Sequence, residues 1–514
     1  MRKTLNALSL AVGLALAATS AADTSLTIDI QNKGPVINKD VYGQFAEHLG
    51  RGIYEGLYVG PKSKIPNTRG WRNDVIGALK ELQVPLVRWP GGCFADEYHW
   101  RHGIGPQKNR PVGVNTNWGG VLEDNAVGTH EFFELAEMLG ADTYVNANLG
   151  TGSPQEAAEW LEYMTSDSKS TLAELRRKNG RDEPFKVDYY AVGNEAWGCG
   201  GHMTPEYYMH LYNHWVTFFK TPSGRTPKFI ASGGHTDDTS WTETILDMAK
   251  RPVAGISFHF YTLPTGDWDK KGAARNFPES EWFSTFAQTQ RMEGFIQANK
   301  KVMDEKDPQK KVGFYVDEWG TWYDVEEGTN PGFLYQQNTL RDALVAAVNF
   351  NIFHKHADRV HMSNIAQMVN VLQAMILTDK EKMVKTPTYY AYKLFVPFQD
   401  ATSLPISVGE MDKYTLDGKT LDQVSVSAAI GKDGHTYVAL VNLHPTKATQ
   451  VKAALKGLNA TQKVTGEILT HEKMDAHNDF GTPDVVVPQP FTADISQGNL
   501  SVDLPAKSVV VLKI

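Results

Sequence analysis

The chain has 514 residues, of which 41% are hydrophobic, 21% charged and 11% aromatic, a globular composition that excludes disordered and fibrous classes. A formal net charge of -8 repels nucleic-acid phosphates and anionic lipid, so neither nucleic acid nor a membrane is expected as a partner. Twelve Trp and twenty Tyr suit a ligand with apolar faces, such as a sugar ring, although a large core absorbs most such residues.

Arg2 and Lys3 open the chain, an apolar run follows over 7–18, and Ser20-Ala21-Ala22 offers a small-residue cleavage site. The pattern predicts a signal peptide over 1–22 and a secreted or periplasmic protein. The apolar run is too short for a permanent membrane anchor. Residues 25–30 predict a strand within an N-terminal segment, 23–39, that joins a C-terminal sandwich.

From Val41 onward, apolar β-branched runs recur, each followed by a polar or glycine-containing loop and a helical pattern. They cover 41–45, 85–89, 143–148, 188–193, 229–232, 255–259, 312–316 and 359–365. Helical patterns cover 129–139, 154–165, 205–219, 282–298 and 332–353. Ser153 and Thr204 stand as capping hydroxyls before a proline at the first helical position. This alternation predicts a (β/α)8 TIM barrel over 40–399. An open doubly wound sheet would show a glycine-rich phosphate turn, and neither that fingerprint nor a P-loop is present. Past Asp400, short alternating runs at 424–429, 436–441, 485–487 and 509–514 predict a jelly-roll-like β-sandwich over 400–514.

Reactive side chains of such a barrel come from the carboxyl ends of its strands. Those ends carry Glu47 and His48, Arg88, Asn146 and Asn148, and Asn194 with Glu195. Then follow His235, His259 with Tyr261, Asp317 and Glu318 with Trp319 and Trp322, and Gln367. Glu195 closes the fourth run and Glu318 lies at the seventh, so a closed ring sets them across its mouth. Two facing carboxyls suit glycosidic cleavage, which needs a proton for the leaving oxygen and a stabiliser for the sugar carbon. The histidine pairs His99/His102 and His354/His356 lack a third ligand in a standard frame, so no metal is expected, and no cofactor.

The segments YGQFAEHLGRGIYEGLYVG, VPLVRWPGGCFADEYHWRHGIGP, YYAVGNEAWG, FHFY and YVDEWGTWY resemble the α-L-arabinofuranosidases of glycoside hydrolase family 51. The resemblance runs from the first barrel strand into the C-terminal region. It implies Glu195 as acid/base and Glu318 as nucleophile of a retaining, exo-acting enzyme on arabinose-containing plant polysaccharides or oligosaccharides. It also implies that Asn194 binds the sugar 2-hydroxyl, that Glu47 and Arg88 form the pocket floor, and that His259, Tyr261, Trp322 and Gln367 are its neighbours. A homo-oligomer is implied as well.

One departure concerns the only two cysteines. Many relatives carry Asn where this chain has Cys93, and they lack the 197–201 run WGCGG that contains Cys199. Cys93 is therefore a pocket candidate, and two arrangements stay open: a Cys93–Cys199 disulfide bracing the pocket, or two unpaired thiols. The rival functions are the same machinery with endoglucanase or xylosidase specificity, and a non-catalytic sugar-binding barrel.

Overall fold

A computed structural model describes residues 24–514, so the predicted signal peptide lies outside the described residues. Eight apolar runs pair as the parallel strands of a closed barrel: β1 (Gly43–Phe45), β2 (Leu86–Trp89), β3 (Asp142–Ala147), β4 (Tyr189–Val192), β5 (Lys228–Ala231), β6 (Gly255–Thr262), β7 (Gly313–Thr321) and β8 (Val360–Ile365). Each overlaps one of the eight predicted runs. The first starts late because Lys39–Tyr42 forms a 3-10 turn, with the Asn38 side chain accepting from the Asp40 N–H. Inside the ring, Tyr144, Tyr189 and Tyr315 pack with Leu86, Ile230 and Met362, filling the lumen rather than leaving a pore.

Local signals set the helix ends. Helix Thr129–Leu139 stops at Gly140, whose φ of 69° is a left-handed position that glycine adopts without a side-chain clash. Helix Pro154–Thr165 starts where Ser153 accepts from the Glu156 N–H. The predicted helix over 332–353 is displaced. It begins at Leu340, where Thr339 and Asp342 form a capping box, and Pro331–Phe333 is only a 3-10 turn. The predicted helix over 282–298 is longer in the structure, Glu279–Lys306.

The C-terminal region is one continuous ten-stranded sheet rather than two separate ones. Strand Thr24–Asp29 inserts into it, parallel to Thr449–Lys456 and antiparallel to Ile406–Val408. Leu26, Val438, Val451, Val502 and Leu512, from strands spread across that order, share one core, so the sheet wraps around it. Residues 485–487 form no strand: the Asn478 side chain takes both the N–H and the carbonyl of Val486, removing its ladder groups. Helix Leu340–Lys355 joins the two layers, with Asn351 and His354 bonded to Ser425 and Ser427 of the sheet.

Candidate active site

Two strand neighbours set the centre of the site. β6 and β7 pair in a register that puts His259 beside Glu318, after a shift between Ser257 and His259 that turns the imidazole toward the mouth. Arg88, on β2, reaches across. Its guanidinium donates to Glu318 Oε1 at 2.7 Å, to Asn194 Oδ1 at 2.6 Å and to the Asp317 carbonyl at 3.0 Å. Tyr261 donates its hydroxyl to Glu318 Oε2 at 2.8 Å. Glu195 follows β4 with φ of 40°, a left-handed position that costs a side-chain-bearing residue about 1–3 kcal/mol and is borne where a carboxyl must be aimed. Its Oε1 lies 2.8 Å from His259 Nδ1. Atoms of Glu195, His259 and Glu318 all fall within 4.8 Å of one another.

His259 is wedged among three carboxylates, with Nδ1 also 3.4 Å from Glu318 and Nε2 3.3 Å from Asp317. Burial works against its charge, but Glu318, Asp317 and Glu195 outweigh it and hold the imidazolium up to about 10. Asp317 shows the converse. Burial opposes its ionisation, yet Arg88, His259 and the Ser257 hydroxyl hold it down to about 2. The Tyr144 hydroxyl donates to it as well, at 2.6 Å. The Arg88 guanidinium stays above its ordinary range despite burial, because of Tyr144, Glu318 and Asp317.

Glu47 forms the opposite wall. It accepts from the Phe94 N–H at 3.1 Å, Trp118 Nε1 at 3.0 Å and Gln367 Nε2 at 3.1 Å. Burial, then the nearby Glu318 charge, push its carboxyl up to about 7. A carboxyl raised on folding favours the native state below its ordinary value, and that contribution is lost as pH rises through about 7. Glu47→Gln keeps an acceptor but does not titrate. The melting temperature of the wild type relative to Glu47→Gln should therefore fall between about pH 5 and about pH 8; a gap that stays constant over that interval would refute the placement of the proton.

The Gly91-Gly92 pair has a steric cause. A Cβ at Gly92 would sit 2.9 Å from Glu47 Oε1 and 3.2 Å from Glu318 Oε1, so only glycine lets the backbone pass both carboxylates. The next residue, Cys93, is bonded to Cys199, with Cα atoms 5.6 Å apart. Cys93 therefore brings the pocket a disulfide wall and no thiol donor. The bridge ties the β2 loop to the β4 loop across 106 residues, a closure of the size that stabilises a fold by about 2–4 kcal/mol. Cys199 Sγ lies 3.6 Å from Glu195 Oε2 and 3.6 Å from Asn194 Nδ2.

Glu47, Arg88, Cys93, Asn194, Glu195, His259, Tyr261, Glu318 and Gln367 thus meet in one cluster of contacts. Trp322 enters edge-on against Tyr261, ring centroids 5.0 Å apart. Two rim residues have structural work instead: His48 is stacked on Phe94 and bonded to Trp89 and Glu123, and Asn148 holds the Thr151–Gly152 turn. The expectations omitted Trp118, Tyr144 and Ser257. Trp118 sits in the long 101–127 loop, where no periodicity marks it, and Tyr144 and Ser257 read as ordinary strand residues. Among the described residues, the two acidic or sulfur triads close enough to hold a metal are parts of this site. In one of them the cysteines are oxidised and offer no thiolate; in the other Glu318 is already held by Arg88 and Tyr261. His99, His354 and His356 are bonded to Glu156, Tyr42 and Glu293.

A closed (β/α)8 barrel with two glutamates converging at its carboxyl-end mouth, one of them ion-paired to a buried arginine, defines a glycoside hydrolase. The sequence matches the Alpha-L-arabinofuranosidase 1 domain over residues 78–277 and the Alpha-L-arabinofuranosidase C-terminal domain over residues 317–508. It is 47% identical over 506 residues to an intracellular exo-alpha-L-arabinofuranosidase of Bacteroides ovatus, covering 98% of each chain. Among solved structures, the GH51 arabinofuranosidase of Xanthomonas axonopodis pv. citri superposes with a TM-score of 0.94 at 48% identity, over 96% of this chain and 99% of that one. The α-L-arabinofuranosidase of Thermotoga maritima, in an arabinose complex, superposes with a TM-score of 0.84 at 30% identity, over 96% and 99%. The chain belongs to the α-L-arabinofuranosidases of glycoside hydrolase family 51, and its activity is that of an arabinofuranosidase.

The expectation of a secreted or periplasmic protein is overturned by the Bacteroides ovatus relative, which is named as intracellular and matches along nearly its whole length. That expectation rested on the composition of residues 1–22 alone. Two basic residues before an alanine-rich run carry no packing constraint that separates a cleavable leader from any other short apolar segment.

Proposed function

We propose that the enzyme releases terminal non-reducing α-L-arabinofuranosyl groups from arabinan, arabinoxylan or their oligosaccharides with retention of configuration. Glu318 is the nucleophile and Glu195 the acid/base in this reading. The observation that carries it is the approach of the two carboxyls to within 4.8 Å in unlike surroundings. Retaining enzymes keep the pair about 5 Å apart, whereas inverting ones leave room for a water between them. Glu318 is gripped by Arg88 and Tyr261, which aims its carboxyl. Among the described residues Glu195 has His259 as its one close polar partner, and it sits at the edge of a cavity.

The first step breaks the glycosidic C–O bond. Glu195 gives its proton to the departing oxygen while a Glu318 oxygen bonds to the anomeric carbon. The resulting ester cancels the Glu318 charge, and Glu195, having given up its proton, is left as a carboxylate. Water then attacks the same carbon, Glu195 takes its proton, and the Glu318 ester bond breaks. Asn194 keeps its amide nitrogen for the sugar while its oxygen is held by Arg88. Glu47, with Trp118 and Gln367, closes the far end, which suits removal of a chain end. The name of the Bacteroides ovatus relative, an exo-acting enzyme, supports that reading.

Proton NMR of a fresh digest of 4-nitrophenyl α-L-arabinofuranoside should show the α-anomer of arabinose first, with the β-anomer growing in by mutarotation. Initial β-anomer would overturn the retaining assignment.

A further inference from the structure

The segment that carries Glu195 is held from a single turn. The 3-10 turn Cys93–Glu97 follows β2 and presses two side chains against the loop after β4. Cys93 is bonded to Cys199, four residues past Glu195. Asp96 accepts the Asn194 N–H on its Oδ2 at 3.0 Å, one residue before Glu195. Its Oδ1 takes the Leu149 and Gly150 N–H groups, at 2.8 and 3.1 Å, just past β3. One carboxylate thus ties the loops after three consecutive barrel strands.

A carboxylate is a costly way to satisfy three N–H groups. Asp96 is only 3% exposed, and Arg88, the cation whose field reaches it, makes its own contacts with Glu318 and Asn194. Burial pushes the Asp96 carboxyl up to about 7, against the pull of the three N–H groups and of Arg88. The neighbouring loops are shaped to admit it. A Cβ at Gly200 would lie 2.9 Å from Asp96 Oδ2, and one at Gly150 would lie 2.8 Å from Asp96 Cβ. What lies at the end of these bonds is the strained residue of the site. Glu195 keeps its left-handed conformation only if its surroundings impose it. The bonds that flank it are Asn194 N–H to Asp96 and Ala196 N–H to Ser232 Oγ, the latter at 3.1 Å.

We propose that Asp96 is a positioning residue for the acid/base: by holding the Asn194 N–H it keeps Glu195 left-handed and aims its carboxyl at the departing oxygen. The proposal rests on Glu195 being the acid. Asp96 acts through the backbone and touches no reacting atom. An amide in its place keeps one acceptor oxygen but turns an NH₂ toward either the Asn194 N–H or the Leu149 and Gly150 N–H groups, so donor meets donor. The carboxylate accepts at both ends, which the amide cannot do.

The test compares arabinotriose, whose departing alkoxide needs a proton, with 4-nitrophenyl α-L-arabinofuranoside, whose phenolate leaves with little help. Asp96→Asn should lower kcat/KM about 30-fold on arabinotriose and about threefold or less on the nitrophenyl substrate, because a misaimed acid matters in proportion to the need for its proton. Asp96→Ser, whose hydroxyl is too short to reach both ends, should repeat that ratio. Thr151→Val removes a hydroxyl bonded to the Asp96 carbonyl at 3.1 Å; it loosens the same turn and should move both substrates alike. Equal falls on the two substrates in the Asp96 variants, or no fall, would overturn the proposal. So would the same ratio in Thr151→Val, which would assign the effect to the turn, or failure of both Asp96 variants to fold, which would make Asp96 a determinant of the fold alone. Failure of the underlying reading looks different: Glu195→Ala would itself then lower both substrates equally.

Discussion

Glu318→Ala should lower kcat/KM on 4-nitrophenyl α-L-arabinofuranoside by about 10⁴-fold or more, the scale seen when a covalent nucleophile is removed. Sodium azide should restore part of the turnover and yield an arabinosyl azide of inverted configuration. The structure explains why rescue is feasible. Truncation empties a space bounded by the Arg88 guanidinium and the Tyr261 hydroxyl, both of which had faced carboxylate oxygens at 2.7 and 2.8 Å. A small anion fits those donors and lies on the face of the sugar opposite the leaving group, so its bond to the anomeric carbon inverts that centre. Collapse of the fold is not the expected route to inactivity, because Arg88 keeps its bonds to Asn194 and the Asp317 carbonyl. Glu195→Ala should behave oppositely, its azide product retaining configuration because Glu318 still forms the intermediate. Absence of rescue in Glu318→Ala, or a retained product from it, would remove Glu318 from the role of nucleophile.

The barrel was legible because its strands are short apolar runs bounded by turn chemistry, and because capping residues such as Ser153 and Thr204 act over one turn of chain. Where the determinants are distant, the sequence misleads. Residues 332–339 continue an apolar helical pattern, yet the Gln336 side chain accepts the Tyr323 N–H and donates to the Thr321 carbonyl, which pins that stretch as an irregular segment. Residues 485–487 have strand composition, but Asn478 satisfies the backbone that a neighbouring strand would have used.

The site divides in the same way. Glu195, Arg88, His259 and Glu318 stand on strands or directly after them, so counting strands places them at the mouth. Trp118 reaches Glu47 from a loop whose path depends on contacts with no sequence period. The partners of Asp317, which are Tyr144, Ser257 and His259, come from two other strands and meet only when the ring closes. The charge network, rather than the identity of the glutamates, was what the sequence left out.

That network makes Arg88 the second position of large expected effect. Arg88→Met should lower kcat/KM by about 10²–10³-fold and destabilise the fold by about 3–5 kcal/mol, the cost of leaving buried carboxylates unpaired. Methionine suits the space, because the Arg88 guanidinium carbon already lies over the faces of Phe45 and Tyr144, at 4.4 and 5.3 Å, where a thioether also packs. The loss is therefore electrostatic more than a matter of packing. The signature is in the pH dependence. Asp317 is held at about 2 in the folded protein against an ordinary 3.8, so its ionised form favours the native state above that ordinary value. This contribution is lost as pH falls toward about 2. Without Arg88 the Asp317 carboxyl protonates at higher pH, so acid unfolding should move upward. Arg88→Lys should restore part of the stability but little of the rate, since one ammonium cannot bridge Glu318, Asn194 and the Asp317 carbonyl together. Urea melts at about pH 4 and about pH 7, alongside the pH–rate profile, read both effects. A folded Arg88→Met enzyme whose acid unfolding coincides with that of the wild type would show that the arginine does not hold the Asp317 carboxyl down.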